Sequence, residues 1–218
     1  VLGRQIRQLT RLVDDLLDVS RISQGRIELR LQPLDAKEVV EQAIETVQPL
    51  ALAKNQQLSA NLAAASIHVR GDFARLVQSV GNLLHNAVKY TGHGGRIGIE
   101  IEASEKDVVI SVHDDGAGIG PDLLPRVFDL FVQSDRTLDR SNGGLGIGLS
   151  VVKRLIDMHG GSVDASSEGT GCGATFNIRL PRVAAPDVLQ AVPDRASLIP
   201  RRVLVVDDNV DSADSLAL

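Results

Sequence analysis

Residues 82–91 read NLLHNAVKYT, and their periodicity decides the fold. At 100° per residue Asn82, Asn86 and Lys89 fall on one stripe of a helix, while Leu83, Leu84 and Val88 fall on the opposite side. Upstream, Leu76, Val77 and Val80 continue the apolar stripe, Ala87 completes it, and Asp72 is placed to cap the helix, which is predicted to run to about Tyr90. Such a polar face is ordinarily just solvated. Two carboxamides and an ammonium in register also form a set suited to a metal–phosphate ligand. An Asn carbonyl is a hard oxygen donor for Mg²⁺, and Lys89 offers a point cation for phosphate.

Two glycine clusters follow. Residues 113–120, HDDGAGIG, leave a predicted strand, and the glycines allow close backbone approach to a ligand. The strand-end carboxylate Asp114 can accept a hydrogen bond from an exocyclic amine such as that of adenine, although Asp-Gly alone is also plain turn chemistry. Residues 143–149, GGLGIGL, enter an apolar helix, where bare N–H groups make an anion site. No strand feeds this run, which removes a Rossmann reading, and no Gly-Lys-Ser/Thr provides a Walker A loop.

Working outward, Arg26–Leu31 alternates as a strand, and Asp35 with Glu38 reads as a capping box for a helix to about Ala53. Short strands are expected near 57–62 and 67–70, and a strand pair at Arg96–Ala103 and Asp107–Asp114. The glycine-rich span 115–148 is expected to hold two short helical pieces. A helix at 147–159 and strands at 161–167 and 174–180 close the unit. Antiparallel strands on one side and helices on the other predict an α+β fold, a two-layer α/β sandwich. Before it, Leu2, Ile6, Leu9, Val13 and Leu16 follow the 4-3-4-3 spacing of a bundle seam, ending at Gly25, so a long helix precedes the domain and needs a partner to cover it.

In this order, Asn82/Asn86, Asp114/Gly116/Gly118 and Gly144/Gly146/Gly148 resemble the N, G1 and G2 boxes of the Bergerat ATP-binding fold. Phe128 and Phe131 in PRVFDLFVQSD (125–135) resemble its F box, and His159-Gly160-Gly161 with Gly171–Phe176 resembles its tail. Gyrase and chaperone members put Glu at the first N-box position as a base. Asn82 cannot take a proton at neutral pH, so the resemblance narrows to the sensor histidine kinases. The flanks agree. Residues 4–29 resemble the second helix of a dimerisation and phosphoacceptor domain, and residues 201–218, RRVLVVDDNVDSADSLAL, resemble the start of a receiver with Asp207 and Asp208 as its acidic pair.

The resemblance implies a domain order of 1–25 phosphoacceptor-domain helix, 26–183 catalytic domain, 184–200 linker and 201–218 receiver, with both ends cut from a longer hybrid protein. It implies ATP and Mg²⁺ as cofactors. Asn86 would hold the metal, Asn82 would support metal and phosphates with Lys89 nearby, Asp114 would select adenine, and Tyr90 would lie against the ring. Gly116 and Gly118 would shape the base pocket, Gly144, Gly146 and Gly148 would meet the phosphates, and Leu149 and Thr175 would complete the site. Residues 132–143 would form a lid. Gln133 stands where several relatives carry a phosphate-reaching Arg, leaving Arg136 or Arg140 as substitutes. None of His68, His85, His93, His113 and His159 has a phosphoacceptor setting, so the accepting histidine is expected on a helix outside this stretch, in a homodimer, with relay to a receiver in cis or a separate response regulator. An ATP-hydrolysing clamp and a docking module without nucleotide remain the alternatives.

The bulk numbers fit. Net charge is −5 from 23 Lys+Arg against 28 Asp+Glu, and only five aromatics occur, so nucleic acid is not an expected partner. No apolar run approaches the roughly 20 residues of a membrane span. One cysteine, Cys172, fits a reducing, cytoplasmic setting and reads as a small packing residue, with the parent protein free to be membrane-anchored.

Overall fold

The computed structural model describes residues 28–62, 66–132 and 145–185. The expected helix over 1–25, the linker and the receiver segment lie outside the described residues, as does most of the expected lid. Seven strands and three α-helices occur among the described residues. In chain order they are β1 (Gln32–Asp35), α1 (Ala36–Ala53), β2 (Gln57–Asn61), β3 (His68–Gly71), α2 (Phe73–Tyr90), β4 (Arg96–Ala103), β5 (Asp107–Asp114), α3 (Gly148–Met158), β6 (Ser162–Ser166) and β7 (Ala174–Val183). A 3₁₀ turn at Leu124–Arg126 is the one short helical piece described between β5 and α3.

The sheet runs β1-β3-β7-β5-β4-β2, with β6 also paired to β7. Two sequence expectations need correction. The first strand described is Gln32–Asp35, whose partner is the short β3, registered Gln32 to Gly71 through Asp35 to His68. Of the expected strand Arg26–Leu31, residues 28–31 are not in a strand and the rest lies outside the described residues. The sheet is also not wholly antiparallel, since β2 runs parallel to β4. The chain between them crosses over through α2, which is what a parallel neighbour requires.

Alternation on the strands makes two unlike faces. Ile97, Ile99 and Ile101 of β4, Val108, Ile110 and Val112 of β5, and Phe176, Ile178 and Leu180 of β7 point into the core. Against them pack Val39, Val40, Ala43 and Val47 of α1, Leu76, Val80, Leu83 and Leu84 of α2, and Val152 and Ile156 of α3. Val77 is only partly buried. The other sheet face is polar, carrying Glu100, Ser111, His113, Thr175 and Asn177.

The helix starts follow local chemistry. Asp35 caps α1 by accepting from Lys37 N at 2.9 Å. Asp72 caps α2 by accepting from Arg75 N at 3.2 Å, and also accepts from Arg30 N at 3.0 Å. Burial pushes the Asp72 carboxyl up, but these backbone bonds and the nearby Arg75 charge hold it below the ordinary carboxylate value. His159, buried after α3, ties the two helices. Its Nδ1 donates to Leu155 O at 2.7 Å and its Nε2 accepts from Asp72 N at 3.0 Å. The carbonyl can only accept and the backbone amide can only donate, so the ring is the neutral Nδ1–H tautomer.

Candidate nucleotide site

The expected residues gather around one side of α2. Asn82 is 8 % exposed, so its end of the polar stripe is buried rather than solvated. Its Nδ2 reaches Gly148 O, the first residue of α3, at 3.5 Å. Asn86 is half-buried one turn further on, and its carboxamide is hydrogen-bonded to nothing among the described residues. No cluster of three His, Cys, Asp or Glu that could hold a metal exists among them either. Asn86 offers a hard carboxamide oxygen, of the kind that Mg²⁺ accepts when phosphate and water fill the rest of its shell.

Lys89 is placed beside Tyr90. Its Nζ lies 4.7 Å from the centre of the Tyr90 ring and donates to Tyr90 Oη at 3.1 Å. The pair is a cation–π contact on the exposed last turn of α2.

Of the two adjacent carboxylates only Asp114 faces the helix layer. Asp115 is held outward by Arg96, whose backbone N donates to it at 2.7 Å and whose Nε donates at 3.0 Å. Those bonds hold the Asp115 carboxyl below its ordinary value. Asp114 accepts from Gly116 N at 2.9 Å, yet burial pushes its carboxyl up, with the neighbouring Asp115 charge adding to the shift. A half-buried carboxylate with spare acceptor capacity is what an amine donor on a flat ring would meet.

The turn after Asp114 is clasped by a loop that sequence reasoning placed only in the tail. Gly171 N donates to Ala117 O at 2.7 Å, Gly173 N to Gly116 O at 3.2 Å, and Ser167 Oγ to Gly173 O at 2.6 Å, while Ser167 Oγ accepts from Ile119 N at 3.0 Å. Gly173 sits at φ +72°, and a Cβ there would run into the carbonyl oxygen of Asp114. Gly118 lies equally close to Gly169. Cys172 is exposed, so it is not a packing residue. The density of glycines at 169, 171 and 173 was the available signal for this clasp.

Thr175 is not brought to the site. It pairs with His113, and Ala174 is the partner of Asp114. Successive residues of a strand face opposite ways, so Thr175 lies on the polar sheet face, away from the helices.

At the other end, Gly144 lies outside the described residues. Gly146 has φ +71°, accepts from Phe131 N at 3.2 Å, and a Cβ on it would stand 2.8 Å from Val132 O. Phe131 itself is at φ +63° and exposed, while Phe128 is packed edge-on to Phe176 at 6.3 Å. Helix α3 begins at Gly148 with no side-chain cap, and Leu149 is half-buried against the core. Its first N–H groups have no intrahelical partners, which suits an anion.

The chain is similar to known proteins in sequence and in fold. The family described as histidine kinase-, DNA gyrase B-, and HSP90-like ATPase matches residues 71–184. The autoinducer 2 sensor kinase/phosphatase LuxQ of Vibrio cholerae is 37% identical over 94% of this chain and 25% of its own length. Sensor histidine kinase RppB of Synechocystis is 34% identical over 85% of this chain and 40% of its own. The chain thus spans well under half of either relative. Full-length ShkA in complex with AMPPNP superposes with a TM-score of 0.72 at 34% identity, over 85% of this chain and 38% of that one. The chain belongs to the histidine kinase-, DNA gyrase B- and HSP90-like ATPase family, and residues 71–184 are the catalytic ATPase domain of the two-component histidine kinases.

Proposed function

We propose that this domain binds ATP with Mg²⁺ and donates the γ-phosphoryl group to a histidine on the partner helix of a dimerisation domain. The observation that carries the reading is the meeting of Asn82 with the first turn of α3, where a family base would otherwise stand. A carboxamide positions but does not deprotonate. That favours a nucleophile needing no base, an imidazole, over water. The AMPPNP complex of ShkA, at 34% identity, supports the nucleotide.

In this reading Asp114 accepts from the adenine amino group, Tyr90 covers the ring, and Gly116 and Gly118 keep the pocket floor flat. Asn86 holds the metal with Asn82 behind it, and Gly144, Gly146 and Gly148 with the start of α3 receive the phosphates. Lys89, seated on Tyr90, acts first as a prop for that ring. Leu149 anchors α3 in the core. When bound, Mg²⁺ supplies charge neutralisation between the phosphates, and the protein's share is positioning. Residues 1–25 are the second bundle helix, 184–200 a linker and 201–218 the start of a receiver, making the parent a hybrid kinase, dimeric and with its catalytic part in the cytoplasm.

The test is titration of the chain with an ATP analogue with and without Mg²⁺, alongside a hydrolysis assay. Mg²⁺-assisted binding with negligible turnover is expected. Steady hydrolysis would favour an ATP-driven clamp, and no binding would leave only a docking role.

A further inference from the structure

The carboxyl end of α2 is held by two side chains from outside the nucleotide site. Helix α1 ends in a Schellman turn, with Asn55 at φ +51°, Gln56 N donating to Ala51 O at 3.0 Å and Asn55 N to Leu52 O at 2.9 Å. This turn aims Lys54 and Gln56 at the last turn of α2. Lys54 Nζ donates to Val88 O at 2.6 Å, Lys89 O at 3.1 Å and Thr91 O at 3.5 Å. Gln56 Nε2 donates to Val88 O at 3.1 Å, Thr91 O at 2.8 Å and Gly92 O at 3.2 Å. Gln56 is 5 % exposed. Carbonyls that a helix end leaves unpaired are thereby met by a cation and an amide, and the cation also opposes the negative end of the helix dipole.

The same last turn carries the adenine pocket. Tyr90 O, between the carbonyls that Lys54 binds, accepts from Ala117 N at 3.2 Å. A Cβ on Gly116 would stand 2.6 Å from Tyr90 O and 2.9 Å from Thr91 Cα, so the 114–118 turn rests directly on this backbone. Gly116 N in turn holds Asp114 Oδ1 at 2.9 Å. A continuous run of bonded groups thus joins the Lys54 ammonium to the Asp114 carboxylate. The contact of Asn82 with Gly148 lies about two turns back along α2, on the order of 10 Å away. Burial lowers the affinity of Lys54 for its proton, because the ammonium is partly withdrawn from water.

We propose that Lys54, seconded by Gln56, is a positioning residue for base recognition: by binding the end of α2 it sets Tyr90 and the Asp114 turn, and with them the preference for adenine over other bases. The inference rests on the ATP reading above, and adds a determinant of specificity that touches no part of the nucleotide.

The test is titration of the whole 218-residue chain with ATP and with GTP, both with Mg²⁺, with a thermal melt of each variant. Lys54→Met keeps the side-chain length and removes the donors. Its expected result is ATP weakened about tenfold, the scale of a lost charged hydrogen bond, with GTP changed less than about twofold. Lys54→Arg, which keeps the cation, is expected to restore most of the preference. Should Lys54→Met not fold, Gln56→Met gives the same reading at smaller amplitude. Equal weakening of ATP and GTP, or an intact preference for ATP in both Met variants, overturns the inference while leaving the ATP reading in place. A parent chain that binds ATP and GTP alike overturns the adenine assignment and this inference together.

Discussion

The carboxyl end of α2 and its middle, the base and phosphate sides of the proposed site, are built differently. At the carboxyl end, backbone hydrogen bonds from Ala117 to Tyr90, Gly171 to Ala117 and Gly173 to Gly116 join Tyr90, the 114–118 turn and the 169–173 loop, and Lys54 and Gln56 brace the end of the helix from behind. At the middle of α2, Asn82 reaches Gly148 at 3.5 Å, and Phe131 is bound to Gly146 beside it. A flat base is recognised by fixed geometry, so rigidity there is an asset. A phosphate chain is recognised largely by charge, which falls off gently with distance and tolerates a looser frame. The base end of the proposed site is thus held by the chain's own hydrogen bonds.

The largest expected effect comes from breaking the rigid end. Gly173→Ala places a side chain at positive φ and against the Asp114 carbonyl. It should cost about 3 kcal/mol or more, read as a lower midpoint in urea unfolding, with loss of ATP binding at temperatures where the variant is still folded. An unchanged midpoint would mean that the clasp is not tight.

Next comes Asp114→Asn, expected to weaken ATP by about 1–3 kcal/mol through a mispaired polar contact. An adenine analogue without its amino group should bind the parent as poorly as ATP binds the variant. The nucleotide-free chain should respond the other way. Burial raises the folded-state carboxyl above its unfolded value, so the folded chain binds the proton more tightly. The contribution of Asp114 to stability therefore falls as pH rises from the unfolded value through the raised one. Asn has no proton to lose, so Asp114→Asn should melt no lower than the parent at neutral pH, and the difference between them should vanish in acid.

Asn86→Ala probes the proposed metal and phosphate side. It should remove the Mg²⁺-dependent part of the affinity, about tenfold, while metal-free binding of the analogue changes little, because one carboxamide oxygen is all it takes away. If metal-free binding falls as far, Asn86 acts on packing and not on the metal.

The smallest effect is expected from Asp72→Ala, at the far end of the same helix. Losing this cap should cost about 1 kcal/mol without altering ATP over GTP preference. Since the folded carboxyl is held below its unfolded value, its contribution is present above the unfolded value and is lost as pH falls through the folded one. The parent and the variant should converge in strong acid.

Much of this was legible before any coordinates. The strand pair Arg96–Ala103 and Asp107–Asp114, the caps Asp35 and Asp72 and the limits of α1 and α2 follow from period and capping chemistry, which act within a few residues. The first strand was misplaced because its register answers to β3, some 35 residues on, and alternation at 26–31 could not report that. Thr175 was misassigned for a related reason. Which of two adjacent residues faces Asp114 depends on strand register, and a slip of one residue moves a side chain to the other face.

By itself the sequence determined the class of fold and the chemical kinds of group available to a ligand, because periodicity and residue type are local properties. It determined that the first stripe position is a carboxamide and so not a base. Only the tertiary structure decided which of Asp114 and Asp115 turns inward, that Lys89 sits on Tyr90, and that Lys54, 35 residues before Lys89, binds the end of the same helix. Those outcomes depend on how distant segments meet, and no local pattern encodes a meeting.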